Sequence, residues 1–264
     1  MRINGVDHVY VICCGKFKDR EAYMRNVKET FGFDNQYFTL TMDDSKLNFS
    51  ENSYWESLSQ EVIDRYYITD QVERQKELII TGQDKYAPRD ISLADIAVSI
   101  NHLLVWKDIE KNKYKNVLVL EDDILFFKNS LNHLQDKILP NLPDDYDLIS
   151  LEDGAHMHAT MYGHEITEEK YLYKIDCGRM RCTGAYIMNG KAAKKIVSLH
   201  EKKRWTLEID HVVDLYGKLG LLNIYWAEPC IFTQGSQKGV YKSGVQTKNI
   251  KRITNLEMLK DFQK

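Results

Sequence analysis

The sequence predicts an α/β fold: a mixed, mostly parallel sheet flanked by helices, in a single domain spanning residues 1–264. Three observations predict it. The chain opens with a strand, helix, strand pattern over residues 9–42. The apolar run Val117, Leu118, Val119, Leu120 stops at three acids, Glu121, Asp122 and Asp123, and a second apolar run at 147–151 stops at Glu152 and Asp153. Strands alternating with helical segments build layered α/β sheets, and such sheets bind their ligands beyond the carboxyl ends of the strands.

Taken in order, 9–14 is a buried strand followed by a turn at Gly15. A helix over 19–31 carries Arg20, Arg25 and Lys28, and a second strand over 37–42 leads into Asp43 and Asp44. The glycine spacings of a dinucleotide-binding turn and of a P-loop are both missing from this opening unit, so neither mode of phosphate binding is supported. Residues 48–90 are polar and aromatic, with helical periodicity around 54–67 and 71–80, and are expected to be an inserted helical segment or a mobile loop over the site. Ser92 and Asp95 have capping-box spacing, and Ile96, Ile100, Leu103 and Leu104 form the apolar face of the helix they start. Asp95, Ser99, His102 and Trp106 recur on a neighbouring face, where His102 is expected to pack or to support a site.

The acidic run carries the chemistry. Side chains alternate along a strand, so Glu121 and Asp123 are expected on one side and Asp122 on the other. Two carboxylates on one side suit Mg²⁺ or Mn²⁺. A solvated turn is the alternative, but Ile124 to Phe127 follow at once, and carboxylates flanked by apolar sequence need a partner or a metal when buried. Further along, 129–139 is expected to be helical, 140–145 a turn, 155–175 a hairpin or loop, and 182–188 a strand. Helices over 190–200 and 209–219 and a strand over 221–226 follow. Residues 236–248, with glycine, serine and lysine and little apolar content, are expected to be a flexible flap.

Composition narrows the function classes. A formal charge of −3 gives no basic footprint for nucleic acid. No apolar run approaches the roughly 18 residues of a spanning helix, and Met1 to Gly5 lack a signal-peptide core, so a cytoplasmic protein is expected. The five cysteines, Cys13, Cys14, Cys177, Cys182 and Cys230, show no metal-ligand spacing and are expected to be reduced thiols without chemistry.

Several motifs together resemble glycosyltransferase family 25, the group of collagen galactosyltransferases and lipooligosaccharide sugar transferases. They are SLADIAVSINHLLVW at 92–106, VLVLEDDILF at 117–126, YDLISLEDG at 146–154, CTGAYIMNGKAAKKI at 182–196, the Ile209-Asp210 position and PCIFTQ at 229–234. The chain departs from the family pattern at Asp95, Ala97, Val98 and Asn101, and Ser243-Gly244-Val245 lacks the aspartate of a C-terminal element. The resemblance implies a GT-A-like nucleotide-sugar-binding fold, with a nucleotide part at about 1–128, an acceptor-side part at about 129–235 and a tail at about 236–264. It implies metal-dependent, inverting transfer from a UDP-sugar, galactose ahead of glucose, to a hydroxyl of a collagen-like hydroxylysine or a glycan. Glu121 and Asp123 would hold Mn²⁺ or Mg²⁺, and Asp122 would position the donor. Arg20 or Arg25 would meet the nucleotide, Arg179 or Arg181 the phosphates, and Gln234 the diphosphate or metal. Asp210 is the first candidate for general base, with Glu152 or Asp153 as the alternative. A non-catalytic nucleotide-sugar-binding module and a metal-dependent phosphohydrolase stay open as rival readings.

Overall fold

The computed structural model describes residues 1–13, 16–43, 58–85 and 90–243. Strand β1 (His8–Ile12) lies between β2 (Phe38–Leu40) and β3 (Asn116–Glu121), parallel to both. On the other side of β3 runs the antiparallel β7 (Ala185–Asn189), then β5 (Leu148–Ser150), β8 (Ile224–Ala227) and, at the edge, β6 (Leu172–Lys174). β5 and β8 pair in parallel, while β7 and β6 oppose their neighbours, so β1, β2, β3, β5 and β8 share one direction. The expected mixed sheet, with most strands in one direction, is the sheet observed.

The unbroken apolar runs of β1 and β3 follow from their position, because a central strand is covered on both faces. Val117 and Val119 join Tyr10 and Ile12 in one apolar cluster, and Leu118 and Leu120 join Val9 and Val11 in the other. Helix α1 (Lys18–Thr30) covers the second face with Met24 and Val27. Its acids Asp19 and Glu21 stand in the first turn and Lys28 in the last, as the helix dipole favours.

The periodic segments after β2 are α2 (Gln60–Tyr66) and α3 (Gln71–Thr81). Ser59 accepts from the Val62 N–H, and Asp70 accepts from the Val72 and Glu73 N–H groups, so both helices start on side-chain caps. Residues 48–57 and 86–89 of the same predicted insertion lie outside the described residues, as do Cys14 and Gly15. α4 (Leu93–Asn112) starts on the complete Ser92–Asp95 capping box and is buried on most sides, with His102, Trp106 and Ile109 in the first cluster's packing.

After Glu121 the chain turns through Asp122 and Asp123 and forms β4 (Ile124–Phe126). This strand pairs antiparallel with β9 (Phe232–Gln234) as a two-stranded ribbon. α5 (Ser130–His133) continues as wider and then tighter helical turns to Asn141, where Pro140 stops it. Of the two expectations for 155–175, hairpin or loop, the loop is closer: two short 3₁₀ turns, Gly154–His156 and Ala159–Tyr162, precede β6, whose partner is the distant β8. The strand expected from 182 begins only at Ala185, because Cys182 has φ of 65°, outside extended geometry. α6 (Gly190–Lys202) and α7 (Ile209–Lys218) pack on the α4 side of the sheet. No helix among the described residues is long and apolar enough to cross a membrane.

Candidate active site

A cavity of about 210 Å³ opens beyond the carboxyl ends of β1 and β3, bounded by α4, the first turn of α7 and the end of β9. Ile12, Glu121, Asp122, Asp123, Asp210 and Gln234 all line it.

Strand alternation holds as far as Glu121, which faces α4. There the Nε2 of His102 is 3.4 Å from Glu121 Oε1, and the Thr183 hydroxyl donates to the same oxygen at 3.2 Å. The Tyr186 hydroxyl accepts from the Trp106 indole at 2.8 Å and lies 2.8 Å from His102 Nδ1. Since Tyr186 has its own proton to give to Nδ1, the network assigns the imidazole proton to Nε2, aimed at Glu121. His102 therefore holds an acid of the cavity in place.

Beyond Glu121 the expected alternation fails, because the strand has ended and Asp122 and Asp123 sit in a turn. Both meet Arg20, which reaches from α1 to Asp122 Oδ1 at 2.8 Å and to Asp123 Oδ2 at 3.9 Å. Arg20 is buried, lies 4.3 Å over the Phe17 ring and also donates to the Lys242 carbonyl. Asp123 Oδ2 accepts from the Ser236 N–H at 3.3 Å, but Asp123 Oδ1 is buried without a hydrogen-bond partner. Burial, reinforced by the Asp123 and Glu121 charges and opposed by Arg20, pushes the Asp122 carboxyl up to about 7. Burial and the Glu121 charge raise Asp123 as well.

Six carboxylates line the cavity, Asp95, Glu121, Asp122, Asp123, Glu208 and Asp210, and Arg20 is the one cationic side chain among the described lining residues. Asp95 is used in the capping box, and Glu208 is gripped by the Arg74 guanidinium at 2.9 and 2.6 Å. The remaining acids outnumber their counter-charge. An orphaned buried oxygen on Asp123 and an accessible Glu121 carboxylate beside it form a hard oxygen donor set, which fits Mg²⁺ or Mn²⁺.

Asp210 is the second residue of α7, and the cap position belongs to Glu208. Asp210 therefore does not serve as the cap. Its side chain is 37% exposed at the cavity and accepts the His211 backbone N–H at 2.9 Å, with the His211 ring Nδ1 4.0 Å from the same oxygen. Gln234 arrives through the ribbon, opposite Ile124, and its side-chain oxygen accepts from Gln237. A side chain at Gly184 would come within 2.5 Å of Gln234 Nε2 and 2.7 Å of Glu152 Oε2, so glycine there makes room for both.

The other expected site residues are placed elsewhere. Glu152 is fully buried and does not line the cavity; its Oε1 accepts from the Gly184 and Ala185 N–H groups at 2.6 and 3.1 Å. Burial, with the Glu121 charge, holds Glu152 well above the ordinary carboxylate range. Asp153 accepts from Thr233 at 2.5 Å and pairs with Lys238 at 2.7 Å. Arg25 forks onto Asp43 at 2.8 Å and onto Glu21, away from the cavity. Arg181 is fully buried as a strut, with Glu228 at 2.9 Å and the Ser150 and Ala227 carbonyls at 3.0 and 2.9 Å; Arg179 lies 3.7 Å from Asp214. Part of the expected flap lies among the described residues. Residues 236–243 fold back on the acidic turn: the Gly235 N–H donates to the Asp123 carbonyl at 2.7 Å, and Tyr241 packs on Tyr23. Residues 244–248 lie outside the described residues.

Asn101 and Thr183 line the cavity without having been singled out as site residues from sequence. Asn101 is buried with its Oδ1 unpartnered, and the signal for it was its place beside His102 on the cavity-facing helix. The sequence model of glycosyltransferase family 25, described as LPS biosynthesis protein, matches residues 6–213. No curated protein matches the chain.

Proposed function

As the chain belongs to glycosyltransferase family 25, we propose that it transfers a sugar from a UDP-sugar, with inversion and with a divalent metal, to a hydroxyl of a glycan or collagen-like acceptor. Galactose is the favoured donor sugar and glucose the second. The observation that carries this reading is the surplus of carboxylates over cations in the cavity. A diphosphate cannot approach such a surface unless a cation stands between them. Glu121 and Asp123 are the residues to hold it, and a bound Mn²⁺ or Mg²⁺ supplies positive charge against the departing diphosphate.

The chain's own residues supply the rest. Thr183 and His102 fix the Glu121 carboxylate, and Arg20 fixes Asp122 and the turn. Asp210, open to the cavity at the start of α7, takes the proton from the acceptor hydroxyl as it attacks. Gln234 and Asn101, which both line the cavity, offer amide groups to donor oxygens. A non-catalytic donor-binding module needs no general base, so the exposed Asp210 favours the transferase reading.

The test is a panel of UDP-sugars with Mn²⁺, scored for UDP release with and without glycan acceptors. Release that requires Mn²⁺ and is lost in Asp123→Asn is expected. Equal UDP affinity in EDTA, measured by calorimetry, overturns the metal assignment; binding without turnover on any acceptor overturns the transferase.

A further inference from the structure

The 3₁₀ turn Ala159–Tyr162 and the connection from β8 to β9 meet away from the cavity, at His158, Glu228 and Cys230. Their ligating atoms all lie within 4.8 Å of one another. Glu228 Oε2 is 3.3 Å from His158 Nδ1 and 3.7 Å from Cys230 Sγ. With metal–ligand bonds of about 2.0–2.3 Å, a tetrahedral zinc separates its ligands by about 3.3–3.7 Å. Two of the three edges already have that length.

The surroundings leave the right atoms available. Glu228 is buried, and its Oε1 is occupied by the Arg181 guanidinium at 2.9 Å and the Ala159 N–H at 3.0 Å, which turns Oε2 towards the histidine and the thiol. Arg181 also lies 3.0 Å from Cys230 Sγ, where it offsets thiolate charge. Supporting bonds of this kind orient ligands around metals. The His158 side chain is 47% exposed, so one side of the cluster opens to solvent.

We propose that His158, Glu228 and Cys230 form a binding site for Zn²⁺ or a similar thiophilic divalent cation, separate from the hard-cation site at the acidic turn. Nδ1 of His158, one oxygen of Glu228 and the Cys230 thiolate are the three ligands, and a solvent water takes the fourth position. On binding, the thiol loses its proton to solvent as the sulfur–metal bond forms. Binding therefore tightens as pH rises. A thiolate ligand selects zinc-like ions over Mg²⁺ and Mn²⁺. The bound ion ties the 158 turn to the segment that leads into β9.

The proposal stands independently of the transferase reading, and Co²⁺ is the probe. The full chain is expected to bind one Co²⁺ with thiolate-to-cobalt absorption, displaced by one equivalent of Zn²⁺ and untouched by excess Mg²⁺. The absorption is lost in Cys230→Ser and in His158→Ala and kept in Asp123→Asn. Absorption that survives in Cys230→Ser, or its lack in the wild-type chain, overturns the site. Because His158 is half exposed, His158→Ala keeps its circular dichroism and decides the matter should Cys230→Ser fail to fold.

Discussion

Asp210 and Glu152 are two carboxylates with opposite surroundings, and their substitutions separate a proton acceptor from a buried acid. Asp210 faces the cavity with one carboxylate oxygen bonded to its neighbour's N–H, so Asp210→Asn is expected to lower turnover by about two orders of magnitude while leaving the UDP dissociation constant unchanged. Single-turnover kinetics beside calorimetry reads both. Glu152 is fully buried and uses Oε1 to accept two backbone N–H groups, an arrangement that a glutamine oxygen reproduces. Glu152→Gln should therefore keep turnover within about threefold of wild type, since the accepting oxygen and its two bonds are retained. A loss as deep as that of Asp210→Asn would make Glu152 the base. Glu121, Asp122, Asp123, Glu152 and Asp153 were legible in sequence because they follow apolar strands, and Asp210 because it opens a helix. Their division of labour was not, since it depends on Gly184 and Ala185, which reach Glu152 only through the fold.

Among the elements, the contact between α3 and the start of α7 has the most to lose. Arg74, 3% exposed, holds Glu208 with both ends of its guanidinium and donates to the Thr206 carbonyl at 3.0 Å. Arg74→Ala strands a buried carboxylate and is expected to cost about 3–5 kcal/mol in urea denaturation. The double variant Arg74→Met, Glu208→Leu removes both charges and should recover most of that loss; no recovery would show that the pair has no shared role. Elements with local signals were readable, as the Ser92–Asp95 box of α4 was. The β4–β9 ribbon was hidden, because two three-residue strands more than a hundred positions apart leave no periodicity. Sequence separation also concealed the His158, Glu228 and Cys230 cluster, whose histidine stands 70 positions before Glu228.

Over the whole molecule, buried acids set the response to pH. Burial pushes Asp214 up to about 7, against an unfolded value near 3.9. Between these values the native chain holds a proton that the unfolded chain has lost, so the stability from this group is complete below about pH 4 and disappears as pH rises through about 7. The Asp214 oxygen that accepts from the Met180 N–H at 2.6 Å has an equivalent in asparagine. Asp214→Asn should flatten the fall in melting temperature between pH 5 and 7.5, roughly the span over which such a group titrates. An unchanged slope assigns the fall to other acids. The order of strands in the sheet also bears on how the chain is made. β8 is inserted between β5 and β6, both of which precede it in sequence. A ribosome that has finished α7 has released every acid lining the described cavity, yet β6 lacks its neighbour and β5 shows a bare edge with Leu148 and Ile149 beside it. Until residue 227 has cleared the exit tunnel, that edge is open to the pairing with other chains that folded sheets avoid, which makes this interval of translation the one in which a chaperone has most to shield.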